Sequence, residues 1–384
     1  MTDTNSDTDP ENGTDAGTDG DTDSGTGDAG SAASTDTILV TATGEHVGKT
    51  AITLALARTA ADRGQSVGYM KPKGTRLQSN VGKTLDQDPM LARELLGLDA
   101  EMHQMEPIVY SPTFVEGAVR GTEDPEALKA RVREEFDALA ADRDRMFVEG
   151  GGTWTTGGVV DLTDADVAEL LDARAVLVAE YETPGDLDEV LAAAEALGDR
   201  LIGVVFNKVP DAAFDELGSD VTPFLESRGI PVLGAVPREQ ELAGVTVGEL
   251  ADELGADLLT DAPTDAFVER FLVGAMGGDE ALRHFRRARD AAVITGGDRA
   301  DVQRAALEAS GVACLVLTGG HRPSGAVLGK AAEAGKPVLA VNTDTLTAVE
   351  RAEAVVRGGR TRDARTVDVM ADLLAAHVDV ERLL

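Results

Sequence analysis

From Thr37 onward, short apolar runs alternate with longer stretches in which apolar residues recur every three or four positions. The runs Ile38–Thr41, Val67–Met70, Met146–Glu149, Ala175–Ala179, Leu201–Asn207 and Val232–Val236 read as buried strands. Between several of them, Ala/Leu-rich segments such as Ala51–Arg63 and Leu187–Leu197 read as helices. The first puts Ile52, Leu56 and Ala60 on one face, suited to packing on a sheet. This alternation predicts an α/β fold, a parallel sheet flanked by helices. A second series of strands and helices begins after Asp261-Ala262-Pro263-Thr264 and carries AAVITGGDRADVQ (291–303), ACLVLTGGHRPSG (313–325) and PVLAVNTDT (337–345). Two domains are therefore expected, residues 37–261 and a smaller α/β domain over residues 262–384.

The first 36 residues break the pattern. A Thr/Asp/Gly/Ser repeat with almost no apolar content cannot offset its ordering entropy, so an acidic, disordered tail is expected. It carries ten Asp/Glu and no Lys or Arg, yet the whole chain has a formal charge of −34, which leaves −24 for residues 37–384. Such a field repels polyanions, so neither nucleic acid nor an anionic membrane is expected as a partner. The acidity suits a surface that works at high salt, where repulsion is screened. No apolar run approaches the ~20 residues of a membrane span, and the acidic start is the opposite of a secretory signal, so a cytoplasmic protein is expected. The single cysteine, Cys314, lies in the apolar run Ala313–Leu317 and reads as a core residue. Lysine is scarce, eight against 27 arginines. Five of the eight (Lys49, Lys71, Lys73, Lys83 and Lys208) lie in Gly- or Pro-marked loops after apolar strands, which singles them out.

Two segments end in Val-Gly-Lys-Thr: EHVGKT (45–50) and SNVGKT (79–84). A phosphate-binding loop needs a strand to deliver it, glycines to let backbone approach oxygen, and a helix starting at the Lys-Thr. The first copy has all three. It points to a nucleotide cradle of Gly44, Val47, Gly48, Lys49, Thr50 and Ala51, with Lys49 on the outer phosphates and the Thr50 hydroxyl on Mg²⁺. Thr43 stands where the strict G-x-x-x-x-G-K-T spacing has its first glycine, which here is Gly44. After the second copy a helix is expected only around Pro89, with Asp88 as its N-cap. Lys83 then sits in a loop ahead of a helix, and the first copy is the cradle.

After that loop come YMKPKG (69–74), DQDPMLARELL (86–96), FVEGGGTW (147–154) and VVFNKV (204–209). In this order they resemble the dethiobiotin synthetase-like P-loop family, most of all the N-terminal regulatory half of long-form phosphate acetyltransferases. The stretch from FLVGAMGG (271–278) to Gln303, with CLVLTGG (314–320), resembles the DRTGG domain that follows it there. The resemblance spans residues 37 to 384 and implies a P-loop NTPase-like sheet, a DRTGG-like domain, and ATP and Mg²⁺ as cofactors. It implies Lys71 beside Lys49 as the catalytic lysines, Asp88 and Glu149 joining Thr50 on Mg²⁺, and Asn207 on the adenine edge. The chemistry agrees, since hard carboxylate oxygens suit Mg²⁺ and open α/β sheets bind ligands beyond the carboxyl ends of their strands. In the second domain, Thr295-Gly296-Gly297-Asp298-Arg299 and Thr318-Gly319-Gly320 read equally as an anion-binding nest or as tight turns with Asp298 capping a helix.

The acetyltransferase catalytic segment that follows in the full-length enzymes does not occur in these 384 residues, so acetyl transfer by this chain alone is not expected. The preferred expectation is a nucleotide-responsive regulatory protein of acetyl-phosphate/CoA or related metabolism, a homo-oligomer in which nucleotide binding shifts the relation to the DRTGG-like domain or to a partner enzyme such as a separately encoded acetyltransferase. The alternative is an ATP-dependent ligase that activates a small carboxylate or carbamate as an acyl phosphate beside Lys49 and Lys71. Whether the chain is an enzyme stays open at this point.

Overall fold

Along the first apolar run, Ile38 and Val40 point to one side and Leu39 to the other, and all three are fully buried. A strand buried on both sides needs helices on both faces of its sheet. The computed structural model describes residues 35–75, 77–80, 83–239, 242, 244–357 and 363–384. The expected acidic tail lies outside the described residues except for Thr35 and Asp36.

All six expected strands form: β1 (Asp36–Ala42), β2 (Val67–Met70), β3 (Arg145–Glu149), β4 (Arg174–Ala179), β5 (Leu201–Val209) and β6 (Val232–Pro237). They make one parallel sheet in the order β6-β5-β4-β1-β3-β2. The helices used below are α1 (Lys49–Asp62), α2 (Gln87–Leu96), α3 (Pro125–Ala140), α4 (Asp164–Leu170) and α5 (Leu187–Leu197). Ile52 and Leu56 of α1 pack with Ile38, Val176 and Val205 on one face of the sheet. On the other face Val132 and Phe136 of α3 cover Leu39 and Val148, and Val190 of α5 covers Leu177 and Phe206.

A second sheet contains β7 (Asp257–Leu258), β8 (Arg270–Val273), β9 (Ala291–Gly296), β10 (Val312–Thr318) and β11 (Val338–Ala340) in the order β7-β11-β10-β9-β8, with only β7 antiparallel to its neighbour. One face is covered by α6 (Val247–Leu254) and α8 (Thr345–Arg357), the other by α7 (Ala300–Glu308). Cys314 is a fully buried member of this core, and burial pushes its thiol up to about 12.

The two cores do not divide at residue 262. Helix α6 and β7, which precede that link, belong to the second domain: Val247, Leu250 and Leu254 of α6 pack into its core, and β7 pairs with β11. Conversely α9 (Ala364–His377), expected in the second domain, returns to the first. Its Val367, Met370 and Leu374 join Ile52 and Leu56 of α1. Arg145 donates to the carbonyls of Leu383 and Leu384 at 2.8 and 2.6 Å, and Arg63 pairs with Glu381 at 2.6 Å. The second core thus lies between two segments that build the first. Among the described residues no helix is long and apolar enough to cross a membrane.

Candidate functional site

The chain leaves β1 into the loop Thr43–Gly48 and enters α1 at Lys49, as the first Val-Gly-Lys-Thr copy predicts. Gly48 is left-handed (φ 97°), a conformation open to glycine with little strain, and a Cβ there would run into the Asn207 amide. Among the described residues none accepts from the N–H groups of Gly44, Val47 or Gly48, and α1 begins without a side-chain cap. Unengaged amides at a helix N-terminus attract anions, through both their hydrogens and the helix dipole. Asn207 and Lys208 at the end of β5 hold the loop from below. The Asn207 Nδ2 donates to the Val47 carbonyl at 2.8 Å, and the Lys208 ammonium donates to the His46 carbonyl while pairing with Glu180 at 3.0 Å.

Parallel pairing sets Val40 opposite Glu149, so β3 ends beside the loop. The Thr50 hydroxyl donates to Glu149 Oε1 at 2.7 Å, and the Tyr69 hydroxyl donates to Oε2 at 2.7 Å. Lys71, after β2, lies 3.7 Å from Glu149 Oε1 and 2.9 Å from Asp86, and contacts the Asp88 carboxylate. Burial alone would lower the Lys71 pKa, but Asp88, Glu149 and Asp86 outweigh it and hold the ammonium protonated. Lys49 has no carboxylate that close among the described residues. Burial lowers its pKa, and it donates to the Gly152 carbonyl. Burial, then repulsion from Asp88, raises Glu149 to about 7, with Lys71 opposing. Glu106 is also raised to about 7 by burial; its Oε2 accepts from the Asp86 N–H at 2.9 Å, while its buried Oε1 has no hydrogen-bond partner among the described residues.

Lys49, Thr50, Lys71, Asp88 and Glu149 are therefore brought together, with Asn207 under the loop. Helix α2 starts at Gln87, two residues before the expected Pro89, and its N-cap is Asp86, whose carboxylate accepts from the Asp88 N–H at 2.9 Å. Asp88, expected as the cap, sits inside the first turn and is free to reach Lys71, because the preceding acid already serves the helix end. The second Val-Gly-Lys-Thr copy ends in a short strand (Lys83–Asp86) rather than at a helix start, and the Lys83 side chain lies outside the described residues. Tyr69, Asp86, Glu106 and Asp164 carried no signal in the sequence, since only tertiary contact joins them to the loop.

In the second domain the glycine loops are tight turns. The N–H groups of Gly297, Gly319 and Gly320 already donate to the carbonyls of Thr318, Thr343 and Val341 at 3.1, 2.8 and 3.1 Å, so no anion nest forms from them. Arg299 donates to the Met276 carbonyl at 2.8 Å and is itself the N-cap residue of α7, so Asp298 is not the cap.

A strand at the centre of a parallel sheet, an amide-lined loop and a helix opening at Lys-Thr define a P-loop domain of the NTPase type. The chain belongs to the AAA_26 family of AAA domains, whose model matches residues 36–246, and a DRTGG domain matches residues 249–355. Both matches meet where the two cores divide. The resemblance to dethiobiotin synthetase-like P-loop domains followed by a DRTGG domain is thereby borne out. One relative is the phosphate acetyltransferase of Haemophilus influenzae, 27% identical over 74% of this chain and 43% of that protein. Another is the ATP-dependent dethiobiotin synthetase BioD of Parafrankia sp., 32% identical over 54% of this chain and 86% of that protein. The chain spans about half the length of the phosphate acetyltransferases that it matches. Among solved structures, a ParA family ATPase from Chlorobium tepidum is 17% identical, covers 54% of this chain and 86% of its own, and has a TM-score of 0.35.

Proposed function

We propose that the first domain binds Mg-ATP and that the protein is a nucleotide-responsive regulator of acetyl-phosphate/CoA or related metabolism. The observation that carries the reading is the row of N–H groups at Gly44, Val47 and Gly48, without an acceptor among the described residues, at the start of α1. Amides so arranged, next to a buried ammonium, favour a polyanion. Lys49 would leave the Gly152 carbonyl for the outer phosphates, and Lys71 would approach the terminal one. Asn207 is assigned to the base end.

The donor set fits a hard divalent cation. Among the described residues no three His, Cys, Asp or Glu side chains form a metal group. Mg²⁺, however, commonly takes one or two carboxylates and completes its shell with nucleotide oxygens and water. The Thr50 hydroxyl and the Glu149 carboxylate already converge at 2.7 Å, and Asp88 lies across Lys71 from them. Asp86, Asp88, Glu106 and Glu149 together outnumber the two lysines, and a cation relieves that excess. When bound, Mg²⁺ would neutralise charge between the outer phosphates. The chain's own residues cradle, orient and exclude water.

Regulation is supported by connectivity: the chain passes through the second core and returns as α9 onto α1, the helix that begins at Lys49. A ligand with different affinity for two arrangements of that contact would shift the nucleotide site. Calorimetry with ATP, ADP and GTP, with and without Mg²⁺, tests the reading; absence of binding by all three to folded protein overturns it. ADP release strongly stimulated by one small acid would instead assign an ATP-dependent ligase.

A further inference from the structure

Lys73 is fully buried, and all its donors are used. Its ammonium donates to the Thr156 carbonyl at 2.8 Å and to the Leu162 carbonyl, and pairs with Asp164 at 3.0 Å. The other oxygen of Asp164 accepts from the Thr41 hydroxyl on β1 at 2.6 Å. These contacts gather the whole segment that leaves Glu149 and ends at α4. Three of its glycines pack against the same cluster. A Cβ at Gly150 would collide with the Asp164 carboxylate, at Gly151 with the Lys73 carbonyl, and at Gly157 with the Leu162 carbonyl and the Lys73 side chain. The segment is tied to the phosphate-loop strand as well, through the N–H groups of Gly150 and Trp154, which donate to Val40 and Ala42, each at 2.9 Å. Gly152, at its tip, has φ 69° and offers its carbonyl to Lys49.

A buried ion pair is weak support for stability, because desolvation offsets most of its attraction. What this pair does set is geometry. We propose that Lys73 is a positioning residue: paired with Asp164 it pins the loop Gly150–Leu162 as the wall beside the outer phosphate, and through Gly152 it sets where Lys49 rests. The proposal rests on the nucleotide reading for its consequence, and on the loop's own contacts for the pin. A wall displaced by an ångström weakens contacts to the terminal phosphate far more than those to the inner ones. Lys73 therefore governs discrimination between nucleoside tri- and diphosphates.

The chain carries its own probe. Trp154 is the only tryptophan, it lies in this loop, and its indole N–H donates to Glu189 at 3.2 Å. In the full chain, Lys73→Met and Thr41→Val are compared with the parent by calorimetry against Mg-ATP and Mg-ADP, by Trp154 emission, and by circular dichroism as a check on folding. Lys73→Met is expected to lose roughly tenfold in ATP affinity and under about threefold in ADP affinity, with red-shifted emission. Thr41→Val should move both readouts the same way, but less. Parent-like emission and an unchanged ATP/ADP ratio in folded Lys73→Met overturn the proposal. If that variant does not fold, the same result in Thr41→Val overturns it. Should the parent bind neither nucleotide, the nucleotide reading fails by itself, and emission alone still decides whether Lys73 pins the loop.

Discussion

The Thr50 hydroxyl, in the first turn of α1, and the Glu149 carboxylate, at the end of β3, meet at 2.7 Å although 99 residues separate them. Parallel pairing of β1 with β3 makes the meeting unavoidable once the register sets Val40 against Glu149.

The first prediction concerns the ammonium beside that pair. Lys49→Ala should abolish measurable ATP binding, because charge-assisted contacts to phosphate are lost. Lys83→Ala should weaken it far less. Equal losses in calorimetry of the two folded variants would contradict a cradle formed by the first Val-Gly-Lys-Thr copy alone.

Gly48→Ala should impair the loop from beneath. A left-handed alanine is strained by about 1–2 kcal/mol, and its Cβ would displace the Asn207 amide from the Val47 carbonyl. A drop of at least about tenfold in ATP affinity is expected, with thermal stability lowered by only a few degrees. Parent-like affinity would show that the Asn207–Val47 bond does not shape the cradle.

Glu106 gives a pH signature. Its folded pKa of about 7 lies above the unfolded carboxylate value, so between roughly pH 4.5 and 7 the folded state binds the extra proton. Its contribution to stability is thus full at low pH and is lost as pH rises through about 7. Glu106→Gln mimics the protonated form. It should match the parent in Tm at pH 5 and exceed it by about 2–4 °C at pH 8. Thermal unfolding at the two pH values checks this, and an equal gap at both would contradict it.

Helix α9 should be integral to the first core. Leu374, 1% exposed and packed with Ile52, is expected to destabilise the protein by about 2–4 kcal/mol when changed to Ala. Leu346→Ala, at a residue 67% exposed, should change stability by under about 0.5 kcal/mol. Denaturant titration distinguishes them; similar midpoints would mean that α9 is only loosely docked.

The formal charge of −34 predicts a strong response to salt. The screening length falls from about 10 Å at 0.1 M to about 3 Å at 1 M, so Tm should rise by at least about 5 °C over that range. A flat or falling profile would remove self-repulsion as a factor.

Much of this was legible in local pattern. Strand spacing, the Val-Gly-Lys-Thr loop and the scarcity of lysine all depend on neighbours within a few residues, and Lys49, Lys71, Lys73 and Lys208 do converge on one end of the sheet. The cap of α2 was misplaced by two residues because Asp86 and Asp88 are equivalent as local caps. Lys71 pairs with both; what separates them is that the Asp86 carboxylate also accepts from the N–H groups of Asp88 and Thr75.

Local order along the chain was enough to establish an α/β protein with a phosphate loop at one strand end, since period, glycine placement and the Lys-Thr helix start are short-range properties. Tertiary structure alone decided that Lys73 and Asp164 form a buried cluster with Thr41, that α9 turns back to α1, and that the amides of Gly297, Gly319 and Gly320 are engaged. Those outcomes depend on which distant groups are left needing a partner after burial, and no window of sequence contains both members of such a pair.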